Sequence, residues 1–156
     1  MLVVDIPGRG TLELKQLVLD FNGTFACDGR VLPGVVERLN ALAGNLTVHI
    51  FTADTFGTAQ EACAGIRGKI TVLNEPVVGP EKERYVKELG PANTVAVGNG
   101  ANDVLMLRAA ALGIVVCGPE GAAVEAVEAA DIVVTEINAA LDLLLNPRRL
   151  VATLRR

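Results

Sequence analysis

Tryptophan is absent from the 156 residues, tyrosine occurs once and phenylalanine four times. Binding single strands by base stacking needs aromatic faces, so that class of function is not expected. Positive charge is also short. Fourteen Lys and Arg stand against 18 Asp and Glu, a formal net charge of −4, which is the wrong sign for a phosphate-backbone binder. Charged residues make up only 21% of the chain, too few for a disordered polymer.

The three cysteines, Cys27, Cys63 and Cys117, are odd in number and show no Cys-x-x-Cys spacing. They read as small buried thiols in a reducing, cytoplasmic compartment. Cys27 is the one to test for reactivity, since it follows a candidate site loop. No apolar run reaches the length of a membrane span. The opening MLVVDIPGRG lacks a basic segment followed by an apolar one, so no signal peptide is read. Neither nucleic acid nor membrane is expected as a partner. Residues 148–156 hold four arginines and no acid. A solvated helix end is expected there, where Arg suits the helix dipole, rather than a partner patch.

Apolar residues make up 51% of the chain, and 16 glycines punctuate it. Residues 1–6 read as a strand, 7–10 as a turn, and 12–19 as a strand forming a hairpin with the first. LTVHIF (46–51), KITVL (69–73), TVAVG (94–98), GIVVC (113–117) and DIVVT (131–135) are short, rich in Val and Ile, and apolar on both faces. Such runs are strands covered by helices on both sides. Helical stretches alternate with them at 33–43, 57–66, 81–89, 101–111, 121–129 and 137–145. The expected fold is one doubly wound, mostly parallel α/β domain over 1–156, with an N-terminal β-hairpin. His49 lies inside a strand rather than at its end, so a partnered structural histidine is expected.

In such a sheet ligands bind beyond the carboxyl ends of the strands. Asp20-Phe21-Asn22-Gly23-Thr24 follows one strand, Thr52-Ala53-Asp54 another, and Gly98-Asn99-Gly100-Ala101-Asn102-Asp103 a third. Each could be an ordinary turn or cap taken singly: Asx and Gly dominate turns, and Asn102 could cap the next helix. Together they bring acid, amide and hydroxyl groups to one crevice. Lys82 sits at the expected start of a helix, where a cation opposes the dipole. A crevice with clustered carboxylates needs a cation, so Lys82 is a candidate site residue.

These motifs resemble those of the haloacid dehalogenase superfamily, and most closely the phosphorylation domain of P-type ATPases. The resemblance rests on Asp20-x-x-Gly23-Thr24, on Thr52 at a strand end, on Pro80-Glu81-Lys82, and on Gly98-Asn99-Gly100-Ala101-Asn102-Asp103, in that order. It spans roughly residues 14–145. It implies a Mg2+-dependent phosphatase or phosphotransferase in which Asp20 attacks a phosphoryl group and becomes an aspartyl phosphate. By the same resemblance Thr52 and Lys82 hold the phosphoryl oxygens, and Gly23, Thr24 and Ala53 lie at the phosphate. Asp20, the Asn22 carbonyl, Asn99 and Asp103 are the implied magnesium ligands. The implied partner is a phosphorylated small molecule or macromolecule.

Three departures qualify this. Asn22 stands where most phosphatases of the superfamily carry a second Asp as general acid and base, and an amide cannot shuttle that proton. Losing such help typically slows a reaction by about 10²–10⁴, so slow hydrolysis is expected. Asn99 replaces the leading acid of the fourth motif, which weakens the cation site and leaves Asp103 as the main acid beside Asp20. Only residues 25–51 separate the first two motifs, which leaves no room for a nucleotide-binding or cap domain. The crevice is then open unless a neighbour covers it, and a homo-oligomer is compatible with the edge hairpin. The alternative is a non-hydrolytic regulatory or phospho-ligand-binding module. A signalling receiver domain is disfavoured, because no acidic pair precedes Asp20 at an earlier strand end.

Overall fold

The computed structural model describes residues 1–53 and 57–156. β1 (Leu2–Ile6) and β2 (Gly10–Leu14) form the opening hairpin, and β3 (Gln16–Asp20) follows after one residue. A small second hairpin of β4 (Ala26–Cys27) and β5 (Arg30–Val31) leads into α1 (Val35–Leu42). The chain continues through β6 (Thr47–Thr52), α2 (Thr58–Ala62), β7 (Lys69–Val72), α3 (Val78–Leu89), β8 (Thr94–Gly98) and α4 (Val104–Ala109). It ends with β9 (Leu112–Val116), α5 (Val124–Ala129), β10 (Ile132–Val134), α6 (Ile137–Leu145) and α7 (Pro147–Leu154).

Among the described residues the central sheet has the strand order β10-β9-β8-β3-β6-β7, with every neighbouring pair parallel. From β3 the chain winds outward through β6 to β7. It then crosses to the other side of β3 for β8, β9 and β10. The reversal falls between β3 and β8, and that is where such a sheet opens its ligand crevice.

Strand alternation sorts the core into two layers. Leu17, Leu19, Val48, Ile50, Val95, Val97 and Ile114 pack with Leu39 of α1, Leu141 of α6, Leu150 of α7 and the hairpin residues Val4 and Leu14. Val18, Phe51, Ala96 and Val115 pack on the other side with Val86 of α3, Met106 of α4 and Ala126 of α5. Full burial of each Leu, Ile or Val contributes about 1.5–3 kcal/mol. Asp20 has the parity of Val18 and so belongs to the layer covered by α3 and α4.

Several boundaries differ from the sequence reading. The expected strand 12–19 is two strands. At Lys15 the chain leaves the hairpin, with Lys15 N donating to Asn93 O and Lys15 O accepting from Thr47 N. The apolar parity changes there, from Leu12 and Leu14 to Leu17 and Leu19. α3 begins at Val78 rather than at residue 81, so Lys82 lies one turn inside the helix instead of against its positive end. Arg148 and Arg149 occupy the first turn of α7, not its end, and all four tail arginines are exposed. Cys63 is buried, Cys27 half-buried and Cys117 exposed, so the cysteines are not uniformly core residues. His49 is paired to Gln16, Nε2 to Oε1 at 2.7 Å, as a structural histidine should be. No helix among the described residues is long and apolar enough to cross a membrane.

Candidate active site

Asp20 is the last residue of β3, and the turn after it is closely tied down. The Phe21 carbonyl accepts from the amides of Thr24, Phe25 and Ala26 at 3.4, 3.3 and 3.1 Å. The buried rings of Phe21 and Phe25 meet edge to face at 5.3 Å. The Asp20 side chain is thereby fixed at the crevice with 14% of its surface exposed.

Lys82 comes from the facing helix α3 and is 1% exposed. Its Nζ donates to Asp20 Oδ1 at 2.9 Å, to Asp103 Oδ1 at 2.7 Å and to Asn102 Oδ1 at 3.2 Å. An ammonium has three protons, and all three are used. Burial alone would lower the pKa of this amine, but the two carboxylates beside it reverse the sign and raise it. Burial and the nearby Asp103 charge push Asp20 up to about 7, against the lowering pull of Lys82. One cation is shared by two carboxylates, and once Asp20 loses its proton a surplus negative charge is left at the crevice.

Asp103, expected among the metal ligands, has both side-chain oxygens engaged by protein donors. It is fully buried. Its Oδ1 is taken by Lys82, and its Oδ2 accepts from the amides of Asn99 and Gly100, each at 2.9 Å. Its observed contacts orient Lys82 and close the 98–103 loop. Gly98 makes this possible, since a Cβ there would stand 2.5 Å from Asp103 Cγ. Asn102 is not a helix cap: its side-chain oxygen serves Lys82. The buried Glu81 braces the start of α3, accepting from Glu75 N at 3.1 Å.

The other side of Asp20 is looser. Thr24 is fully buried, and its hydroxyl donates to Asn99 Oδ1 at 3.1 Å, with Asp20 Oδ2 at 3.5 Å. Thr24 therefore joins the first and fourth motifs. Asn99 Nδ2 donates to Gly121 O at 3.2 Å. The Gly23 amide donates to Ala26 O at 2.8 Å. What Gly23 contributes is space: it lies at φ +79°, and a Cβ on it would sit 2.7 Å from Asn99 Nδ2. Asn22 is exposed, Thr52 is buried at the end of β6, and Ala53 is exposed just beyond it. Asp54 lies outside the described residues.

Cys27 does not have the character of a reactive thiol, because burial and the charges of Asp28 and Glu120 raise its pKa. Burial pushes Cys63 up to about 11. A cavity of about 590 Å³ lies at the same edge of the sheet, among Leu32, Pro33, Cys117, Thr135, Ile137 and Asn138.

Asp20 thus stands at the switch point of a doubly wound sheet, clamped by Lys82 from the facing helix. The family model of the haloacid dehalogenase-like hydrolases matches residues 4–111. The chain belongs to that family. An uncharacterized protein of Methanocaldococcus jannaschii is 52% identical over 73 residues, which are 47% of this chain and 78% of that protein. The 3-deoxy-D-manno-octulosonate 8-phosphate phosphatase of Moraxella catarrhalis, solved with magnesium, phosphate and KDO, has a similar fold. It superposes with a TM-score of 0.70 at 17% identity, covering 90% of this chain and 92% of that one. A zinc-transporting PIB-type ATPase superposes with a TM-score of 0.63 at 20% identity, over 78% of this chain and 20% of that one.

Proposed function

We propose that this chain is a phosphoric monoester hydrolase acting through an aspartyl phosphate on Asp20, with magnesium as its cation and slow turnover. The observation that carries the reading is the asymmetry of Asp20. Lys82 holds Oδ1 at 2.9 Å, while the side-chain contact of Oδ2 among the described residues is the Thr24 hydroxyl at 3.5 Å. One carboxylate oxygen is thus oriented and the other is available.

The donors grouped around that oxygen fit a hard divalent cation. Asp20 Oδ2 and Asn99 Oδ1 share the Thr24 hydroxyl, and the Asn22 carbonyl, two residues after Asp20, receives no backbone amide among the described residues and is the third donor proposed. Magnesium is commonly held by one or two carboxylates with several waters retained. Bound there, it would offset the charge of the phosphoryl oxygens.

In the first half-reaction an oxygen of Asp20 attacks phosphorus, and the bond from phosphorus to the ester oxygen breaks. The departing alkoxide takes its proton from water, because Asn22 has none to give. Lys82, its protons held by Asp20, Asp103 and Asn102, would offset the growing negative charge through its own charge, and Thr52 would bind the phosphoryl oxygens from the end of β6. In the second half-reaction water attacks phosphorus, the bond to Asp20 breaks, and inorganic phosphate leaves with the carboxylate restored. Without an acid-base group at Asn22 both halves are slowed, by about 10²–10⁴ relative to a site that has one.

The substrate class is a phosphate monoester whose leaving group has room in the cavity beside the β9 and β10 ends. The reading treats 1–156 as one catalytic domain. An exposed Cys117 with no disulfide partner among the described cysteines suits a reducing, cytoplasmic setting. The test is phosphate release from p-nitrophenyl phosphate, acetyl phosphate and a panel of phosphate monoesters, with and without magnesium. Magnesium-dependent release that Asp20→Asn abolishes is expected; no release from any of them contradicts the reading. Asn22 also favours a second reading, a module that keeps its phosphoryl group. A tight beryllofluoride adduct without any turnover would select that one.

A further inference from the structure

Asn99 leaves the cation side of the crevice with a single carboxylate, because Lys82 and two backbone amides consume Asp103. The fold brings one more acid to that side. β8 and β9 are paired with Gly98 opposite Val115, so the loop after β9 emerges beside the 98–103 loop. Two hydrogen bonds tie the loops together: Ala123 N donates to Asn99 O at 2.9 Å, and Asn99 Nδ2 donates to Gly121 O at 3.2 Å. Within the loop Gly121 N closes a turn onto Gly118 O at 2.9 Å, with Gly121 at φ +71°.

Glu120 sits in that turn and leans over the nucleophile loop. The position a Cβ would take on Gly23 lies 2.9 Å from Glu120 Oε2 and 2.7 Å from Asn99 Nδ2. The carboxylate therefore shares one small gap with the Asn99 amide and the backbone that carries the Asn22 carbonyl. Its charge reaches this loop, since it is one of the two acids acting on the Cys27 thiol. No ion pair among the described residues accounts for the placement. Glu120 is exposed, and no lysine or arginine among the described residues pairs with it. A loop glutamate with no partner would ordinarily extend into water. This one lies at the gap that a missing acid would have filled.

We propose that Glu120 supplies the second carboxylate of the cation site, replacing from the β9 loop the acid that Asn99 lacks. The inference rests on the magnesium-dependent reading above. It restores the two-carboxylate, oxygen-only donor set that suits magnesium. It also explains why the fourth motif can carry an amide: the acid has moved to the neighbouring strand end. In the sequence, the position of Glu120 just after the GIVVC strand was the available signal, obscured by the Gly118-Pro119 turn.

The experiment measures Mn2+ binding alone, by electron paramagnetic resonance, on the full chain. The variants are Glu120→Gln, the control Glu125→Gln on α5, and the double variant Asn99→Asp with Glu120→Gln. Glu120→Gln should weaken Mn2+ at least about tenfold while leaving the melting temperature unchanged, since its side chain is exposed and unpaired. Glu125→Gln removes the same charge from an exposed helix position and should shift affinity less than about twofold. Asn99→Asp should restore most of the loss in the double variant. Equal Mn2+ affinity in the parent and Glu120→Gln overturns the inference and leaves the magnesium reading standing. No Mn2+ binding by the parent chain at millimolar concentration overturns both.

Discussion

The two oxygens of Asp20 look onto regions of opposite character. On the Oδ1 side, Lys82, Asp103 and Asn102 form a buried cluster in which every donor proton of the lysine is used. On the Oδ2 side, the Thr24 hydroxyl stands off at 3.5 Å, Asn22 is exposed, and the Asn99 side chain is an uncharged amide. The sealed side fixes geometry and charge. The open side is left for a ligand. A phosphoryl acceptor needs both, because positioning demands a rigid oxygen and reaction demands an unsatisfied one.

The sharpest way to break the sealed side is Lys82→Met. It leaves Asp103 buried without its cation, and losing one partner of a buried pair costs about 3–5 kcal/mol. Urea unfolding should show that loss, and phosphate release should vanish even under conditions where the variant remains folded. Asn22→Asp tests the open side. It places an ionisable group where the reading says one is missing. Turnover should rise about 10²-fold or more in steady-state assays, with little change in unfolding midpoint because the position is exposed.

Two smaller effects sharpen the comparison. Asp20 has a folded pKa of about 7, above its ordinary 3.8. Between those values the folded chain keeps a proton that the unfolded chain has lost. Stability from this group is therefore complete below about pH 4 and declines as the pH rises through 7. Without divalent cations the protein should be more stable at pH 5 than at pH 8, by on the order of 1–3 kcal/mol. Asp20→Asn should flatten that slope in urea midpoints, since it removes the group whose proton uptake differs between the folded and unfolded chains. Cys117→Ser lies outside both regions but lines the cavity proposed for the leaving group. At an exposed site it should shift stability by less than about 0.5 kcal/mol, and any change in phosphate release should depend on the size of the leaving group.

Much of the sheet was legible because parallel strands buried on both faces advertise themselves as short Val and Ile runs. The strand-end rule then led to Asp20, Thr52 and the 98–103 loop. The motifs identified Lys82, although its depth in α3 was hidden: Pro80 suggested a later helix start, whereas the first turn accommodates it. The roles of Asp103 and Thr24 were not readable, because which oxygens point inward depends on how the loop folds over Gly98 and Gly23. The break at Lys15 was signalled by a one-residue change of parity that a single long strand reading overlooks. The exposure of Cys117 follows from its place just past β9, where the strand has already left the core.

The central claim is that Asp20 takes up a phosphoryl group, and it can be tested directly. The protein is incubated with radiolabelled acetyl phosphate and magnesium, quenched in acid, and split with hydroxylamine. Label retained through the acid quench, released by hydroxylamine and absent from Asp20→Asn is the predicted result. A chain that releases phosphate from acetyl phosphate equally well with Asn at position 20, or that never carries label under any of these conditions, would contradict the account.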